Sequence, residues 1–288
     1  MRDELSIVVV GHRRPDVLAQ TIRTLRRQPD TDGARLIVVI NGDGANMTGD
    51  LLAGADTVLR LRENTGVDAY NHGMTFVKSE FALVLDDDAA PQPGVVLAAL
   101  DVLRTDQTLG AAALHPVVGP AQRSEWPFAR TDDAGRRDWP LLGCGHIVRT
   151  AAWRAVGGYE ARYFLYGNDT DLALKLLGTG RGVTFDPAWR VLHDTQTAFE
   201  RPAPWFRLAT RNRIWNARRH AGRLWPLGAL LAWADSHRRA RWRARAHALA
   251  VRGAWEGIVS NPPRWITTSA SAAAFRTLVH LSARRRSE

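Results

Sequence analysis

Three aspartates, Asp86, Asp87 and Asp88, stand in a row directly after the apolar run Phe81 to Leu85. Like charges a few ångströms apart repel unless a proton or a cation intervenes. Hard oxygen ligands suit Mg²⁺ or Mn²⁺, which complete their shells with water and substrate phosphate. A solvated Asp-rich turn has the same composition. A second acidic group, Asp169, sits in Gly167-Asn168-Asp169-Thr170-Asp171-Leu172 at the head of an apolar helical stripe. Aspartate there caps free N–H groups and favours the helix macrodipole. It can equally take a proton from an attacking hydroxyl. His193 follows an apolar run and precedes Asp194; neutral imidazole ligates ions such as Mn²⁺, although a lone histidine is more often structural.

The elements around these residues decide whether they can meet. Leu5 to Val10 and Leu36 to Ile40 read as strands buried on both faces of a parallel sheet. Pro15 to Arg27 between them has Val17, Leu18, Ile22 and Leu25 at helical spacing, which makes a βαβ unit. Further strands are expected at Val58 to Leu61 and Phe81 to Leu85, with a helix from Val67 to Lys78. Pro91, Pro93 and Gly94 should stop regular structure before a helix from Val95 to Leu103. The aspartate triplet thus lies at the carboxyl end of a strand, where open α/β sheets bind ligands. Arg123 to Pro140 reads as a mobile loop, and Thr150 to Val156 and Asp169 to Leu177 as helices. Val183 to Phe185 and Val191 to His193 read as two closing strands, and the chain is helical from Pro204 on.

A chain of 288 residues with one cysteine, Cys144, can bury a sizeable core but cannot build a disulfide framework or a multi-thiolate zinc site. The N-terminal flank is too acidic and its apolar run too short for a secretory signal. Leu224 to Ala234 falls short of the roughly 20 residues of a spanning helix. A cytoplasmic location, at the inner face of the cell membrane if anchored there, is expected. The net charge of +10 is concentrated after Arg207, with Arg238, Arg239, Arg241, Arg243 and Arg245 almost in a row. Three explanations stay open: an anionic phospholipid surface or lipid diphosphate, nucleic acid, or a solvated face. Trp242 and Trp255 among the arginines could stack bases. The upstream aspartates would repel a phosphate backbone, which disfavours nucleic acid.

Read in order, the motifs resemble glycosyltransferase family 2. They are Arg13-Arg14-Pro15, then Asn64, Gly66 and Asn71, then Leu85-Asp86-Asp87-Asp88, Gly157-Gly158-Tyr159-Glu160, Tyr163-Phe164, Asn168 to Leu172, and His193. The resemblance covers about residues 5 to 220, and the run Gly157 to Leu172 is most similar to bacterial rhamnosyltransferase-type members. It implies an α/β GT-A fold, a mostly parallel central sheet flanked by helices. Residues 1–222 would be the catalytic domain, with the donor half about 1–120 and the acceptor half about 121–222. A basic helical region, 223–288, would follow.

The roles it implies are these. Asp169 is the catalytic base, and Asp86, Asp88 and His193 hold Mn²⁺ or Mg²⁺. His12, Arg13, Asn41, Asp43, Asn64, Gly66, Asp86 and Asp87 bind a nucleotide-diphosphate sugar donor. Gly143, Cys144, Gly145 and Asn168 face a hydroxyl-bearing acceptor, lipid-linked in envelope assembly or a small natural product otherwise. Asn168 stands where the family usually has Glu, and Asn41 follows Ile40 where an acidic residue usually reads the nucleobase, with Asp43 as a substitute. Loss of the Glu also leaves open a non-catalytic nucleotide-sugar-binding protein, against which retention of Asp169 speaks.

Overall fold

The structure, a computed structural model, describes residues 4–43, 46–194 and 201–284. Arg2 and Asp3, part of the N-terminal flank, lie outside the described residues. Four parallel strands open the fold: β1 (Leu5–Gly11), β2 (Arg35–Ile40), β3 (Thr57–Arg60) and β4 (Phe81–Asp86). The other strands are β5 (Ala89–Pro91), β6 (Leu109–Val118), β7 (Arg123–Ser124), β8 (Gly145–Arg149) and β9 (Gly182–His193). Together they form one sheet of order β3-β2-β1-β4-β8-β6-β9-β5, with β7 on β6. Only β5, β7 and β8 run against the common direction.

Alternation along the strands builds a core on each face. Leu5, Ile7 and Val9 of β1 join Leu18, Ile22 and Leu25 of α1 (Pro15–Arg27) and Val96, Leu100 and Leu103 of α3 (Val95–Thr105). Val8 points the other way, to Met74 of α2 (Asp68–Met74), Trp153 of α4 (Thr150–Ala155) and Leu172 and Leu176 of α5 (Asn168–Gly178). Side chains on successive strand positions face opposite sides, so nearly continuous apolar runs are needed to fill both layers. Proline at the first position of α1, acid in its first turn and arginine in its last fit the helix ends.

Three expectations change. The segment 123–140 is folded: Trp126, Phe128 and Trp139 are buried, and the Trp139 ring stacks on Phe185 with centroids 4.0 Å apart. Aromatic burial outweighs the local Pro, Gly and charge content that suggested a mobile loop. The two expected closing strands are one, β9, whose register against β6 shifts between Ala113 and His115. Between the proline-containing turn of 91–94 and β4, a short strand β5 pairs with β9 and places Ala89 opposite His193.

Four α-helices follow β9 among the described residues: α6 (Ala203–His220), α7 (Trp225–Ala240), α8 (Ala244–Val259) and α9 (Ser269–Arg284). α7 and α8 pack on α6, and α9 returns to pack on α5. Glycine permits the closest approach, since a Cβ at Gly253 would lie 2.2 Å from the Arg207 carbonyl oxygen. Among the described residues, no helix is long and apolar enough to cross a membrane.

Candidate active site

The carboxyl ends of β1, β2 and β4 open onto a cavity of about 700 Å³. At the end of β4, Tyr70 of α2 donates to Asp86 Oδ1 at 2.6 Å. Arg14, just before α1, donates to Asp88 Oδ2 at 2.6 Å and also to Asp87. Asp88 Oδ1 lies 3.3 Å from His193 Nε2, yet it has no aligned hydrogen-bond donor, and neither does Asp87 Oδ2. The second nitrogen of His193, Nδ1, meets Glu125.

Electrostatics in this corner are those of crowded acids. Burial and the nearby Asp88 charge push Asp86 up to about 7. Burial also lifts Asp87 to about 6 against the pull of Arg14. Asp88 is the one held down: burial raises it, but His193 and Arg14 outweigh burial. Burial opposes a charged His193, while Cys144, Asp88 and Glu125 hold its pKa up. Burial pushes the Cys144 thiol up to about 11 against the pull of His193.

This corner fits a divalent cation. Asp86, Asp88 and His193 offer ligand atoms all within 4.8 Å of one another, and the orphaned buried carboxylate oxygen of Asp88 belongs to that group. Two carboxylates and an imidazole are a donor set for Mn²⁺ or Mg²⁺. The Glu125 contact orients the His193 ring as outer partners of ligating histidines do.

Asp169 reaches the same cavity from a different element, the first turn of α5. Burial raises its pKa above the ordinary 3.8, opposed by the backbone N–H groups of Thr170 and Gly143 and by the charge of Arg213. The Gly143 N–H donates to its Oδ2 at 3.3 Å. Gly143 is held at a φ of 69°, and a Cβ there would come within 2.8 Å of the Trp126 ring. Glycine is what lets this backbone face the carboxylate.

Away from the acids, Asn41 works as a post: its amide donates to Asn64 Oδ1 and to the Gly66 carbonyl, each at 3.0 Å. His12 Nδ1 is 2.6 Å from the Asn41 carbonyl oxygen. A Cβ on Gly66 would strike the Phe164 carbonyl at 2.0 Å. Of the residues expected from sequence, His12, Asn41, Asn64, Gly66, Asp86, Asp87, Gly143, Cys144, Asn168, Asp169 and His193 all line the cavity. Asp88 sits behind His193, buried. Arg13 and Asp43 are exposed away from the cavity wall, and Gly145 is a strand residue paired with Leu85.

Among the lining residues that the sequence reading did not name as site residues, Arg14, Tyr70 and Glu125 bond to the aspartates or to His193. Arg14 replaces its neighbour because Arg13 takes a left-handed turn at a φ of 57°. The burial of Trp126 carries Glu125 to the cavity, and the tryptophans of that segment were the available signal.

The fold aligns over 98% of this chain, with a TM-score of 0.61 and 17% identity, with a mannosyltransferase of Pyrobaculum calidifontis solved with GDP-Man and Mn²⁺, 81% of which is covered. That defines the class as GT-A. The chain belongs to glycosyl transferase family 2, whose profile matches residues 6–160. Among its relatives in Mycobacterium tuberculosis, a pre-mycofactocin glycosyltransferase is 26% identical over 80% of this chain and 52% of its own. An N-acetylglucosaminyl-diphospho-decaprenol L-rhamnosyltransferase is 30% identical over 49% of this chain and 45% of its own. The chain thus spans about half the length of these two relatives.

Proposed function

We propose that this protein is an inverting glycosyltransferase that moves a sugar from a nucleoside diphosphate onto an acceptor hydroxyl, in cell-envelope or polysaccharide assembly. What carries the reading is that Asp169 lines one cavity with Asp86 and His193, behind which Asp88 completes the three-residue group, and that these residues come from different elements, as in-line displacement requires. Asp169 takes the acceptor's proton while the acceptor oxygen bonds to the anomeric carbon and the bond to the diphosphate breaks. Asp86, Asp88 and His193 would hold Mn²⁺ or Mg²⁺, which would supply positive charge for the departing diphosphate. Arg14 and Tyr70 hold the aspartates in place, and His12, Asn41 and Asn64 shape the nucleoside end. Residues 1–222 do the chemistry. The test is incubation with a panel of UDP-, GDP- and dTDP-sugars and Mn²⁺ or Mg²⁺. Release of nucleoside diphosphate from one donor is expected by mass spectrometry, and inertness toward all of them overturns the reading.

The Glu125→Gln protein is expected to bind Mn²⁺ about 10- to 100-fold more weakly by calorimetry, because Glu125 orients the His193 ring. An unchanged affinity would remove His193 from the ligand set.

The basic helices attach the enzyme to an anionic membrane face. α7 and α8 expose Leu227 at 52%, Leu230 at 57% and Trp255 at 66%, and Arg238, Arg245 and Arg252 are exposed in the same region. Apolar side chains in the headgroup layer with arginines on lipid phosphate make a salt-sensitive anchor. Co-sedimentation with phosphatidylglycerol vesicles is expected at low salt and release as salt rises, with no binding to phosphatidylcholine vesicles. Failure to sediment at low salt removes the anchor. Similarity over 80% of the chain to the pre-mycofactocin enzyme favours a second reading, decoration of a small natural product.

A further inference from the structure

The turn that leads into the proposed base holds its backbone where side chains resist it. Phe164 and Tyr166 take left-handed φ angles of 61° and 70°, and Gly167 follows at 73°. A β-carbon crowds the backbone in that region, so residues other than glycine stay there only where their surroundings force them. All three line the cavity, directly before Asn168 and Asp169. No step of the proposed transfer uses them.

The force comes from α6. The side-chain nitrogen of Asn212 donates to the carbonyls of Tyr163, Leu165 and Tyr166 at 3.0, 2.8 and 2.8 Å. Arg211 donates to Asn212 Oδ1 at 2.8 Å, which fixes the way the amide faces. One helical turn on, Asn216 donates to the Gly167 carbonyl at 3.0 Å and accepts from the Tyr163 hydroxyl at 2.6 Å. Buried carbonyls need partners, and three that converge on one point are served here by a single amide. The Phe164 carbonyl points the other way and accepts from the Val67 N–H at 2.7 Å. Val67 adjoins Gly66, which Asn41 and Asn64 brace on the nucleoside side. Asn212 itself lies behind the cavity wall, fully buried.

We infer that Asn212 is a positioning residue for the transfer. It imposes the left-handed turn at 164–167, which sets Asp169 at the cavity and registers it, through Phe164 and Val67, against the loop at the nucleoside end. This deepens the proposed function and rests on Asp169 being the base.

The test is a rescue. Asn212→Ala removes the amide and lets the turn relax. It is combined with Tyr166→Gly, which accepts a φ of 70° without penalty, and separately with Tyr166→Ala, which loses the same ring but keeps the penalty. Backbone hydrogen exchange, read by mass spectrometry, needs no substrate. Asn212→Ala is expected to speed exchange at Val67 and across 163–169 about ten-fold or more, with β1 and β2 unchanged. Glycine at 166 restores most of that protection and alanine does not. With the donor found by the nucleotide-sugar panel and Mn²⁺, kcat for donor consumption by Asn212→Ala is expected to fall about 10²-fold, the effect of a displacement of about 1 Å. Donor KM stays within about two-fold, because Asn41 and Asn64 still brace the donor loop. Glycine at 166 recovers about ten-fold of the lost kcat, and alanine recovers none.

A side chain that only filled the core would gain nothing from glycine at 166. Equal behaviour of the two double variants therefore overturns the inference, and so does a folded Asn212→Ala protein with wild-type exchange and kcat. Should Asn212→Ala not fold, the double variants decide: recovery of the fold with glycine and not with alanine is expected, and failure of both overturns it. If no donor is consumed, the parent reading falls, and exchange alone scores the hold of Asn212 on the turn. If a donor is consumed and the glycine rescue is absent, only this inference falls.

Discussion

Asp169→Asn is expected to lower transfer about 10²- to 10⁴-fold, the usual contribution of a positioned base, while donor affinity and melting temperature stay near wild type. Asparagine keeps the shape and an oxygen for the Gly143 N–H, which now meets Asp169 Oδ2 at 3.3 Å. What it removes is the capacity to take a proton. Burial raises the Asp169 pKa above 3.8, which makes the carboxylate a stronger base than one in water. The sign of the pH dependence follows. Activity needs the ionised form, so it is present above the folded pKa and lost as pH falls through it. The acid limb of the wild-type rate profile therefore lies above the ordinary carboxylate value. Initial rates against pH for both proteins check this. A folded Asp169→Asn protein that transfers sugar as fast as wild type would assign the base to another residue.

How much of this was legible depended on how local the signal was. β1, β2 and β4 announced themselves because strands buried on both faces must be apolar throughout, and α1 because its apolar residues recur at helical spacing with proline at its start. β6 did not: Leu109–Val118 is rich in alanine, contains Pro116 and shows no alternation, since every position but the last is buried. β8 was hidden by brevity, five residues that start at the second glycine of Gly143-Cys144-Gly145. The aspartates and Asp169 were visible as types and spacing, but their meeting was not, because it depends on chain crossings over 80 residues. The choice of Arg14 over Arg13 is set by one backbone angle that arginine does not advertise. Glu125 reaches His193 only because Trp126 and Trp139 find Phe185, a long-range contact that no window of sequence contains.

The largest stability change is expected at Asp171, two residues along α5 from the proposed base. Its carboxylate is fully buried. His220 Nε2 lies 2.8 Å from Oδ1, Arg219 Nε 3.1 Å from the same atom, and Lys175 Nζ 3.7 Å from Oδ2. Burial alone would raise the Asp171 pKa, but the His220 hydrogen bond and the charges of His220, Arg219 and Lys175 outweigh it and hold it below 3.8. The sign is that of a depressed acid. Its contribution is complete above the unfolded value near 3.9 and is lost as pH falls through the folded value. His220 behaves oppositely as a base: burial lowers its pKa against the pull of Asp171. Stability therefore starts to fall earlier, below about 6.5, where the unfolded imidazole gains a proton that the folded one resists. Asp171→Ala leaves Arg219 and Lys175 buried without their counter-charge, a loss of about 3–5 kcal/mol, or on the order of 10 °C in melting temperature. Asp171→Asn retains a hydrogen-bond acceptor for His220 and should lose less. Because Asp171 ties α5 to α6, the same substitution is expected to loosen the turn that carries Asp169. Calorimetric melts of both variants at neutral pH decide the matter. A melting temperature within a degree or two of wild type for Asp171→Ala would mean that the buried charges find other partners.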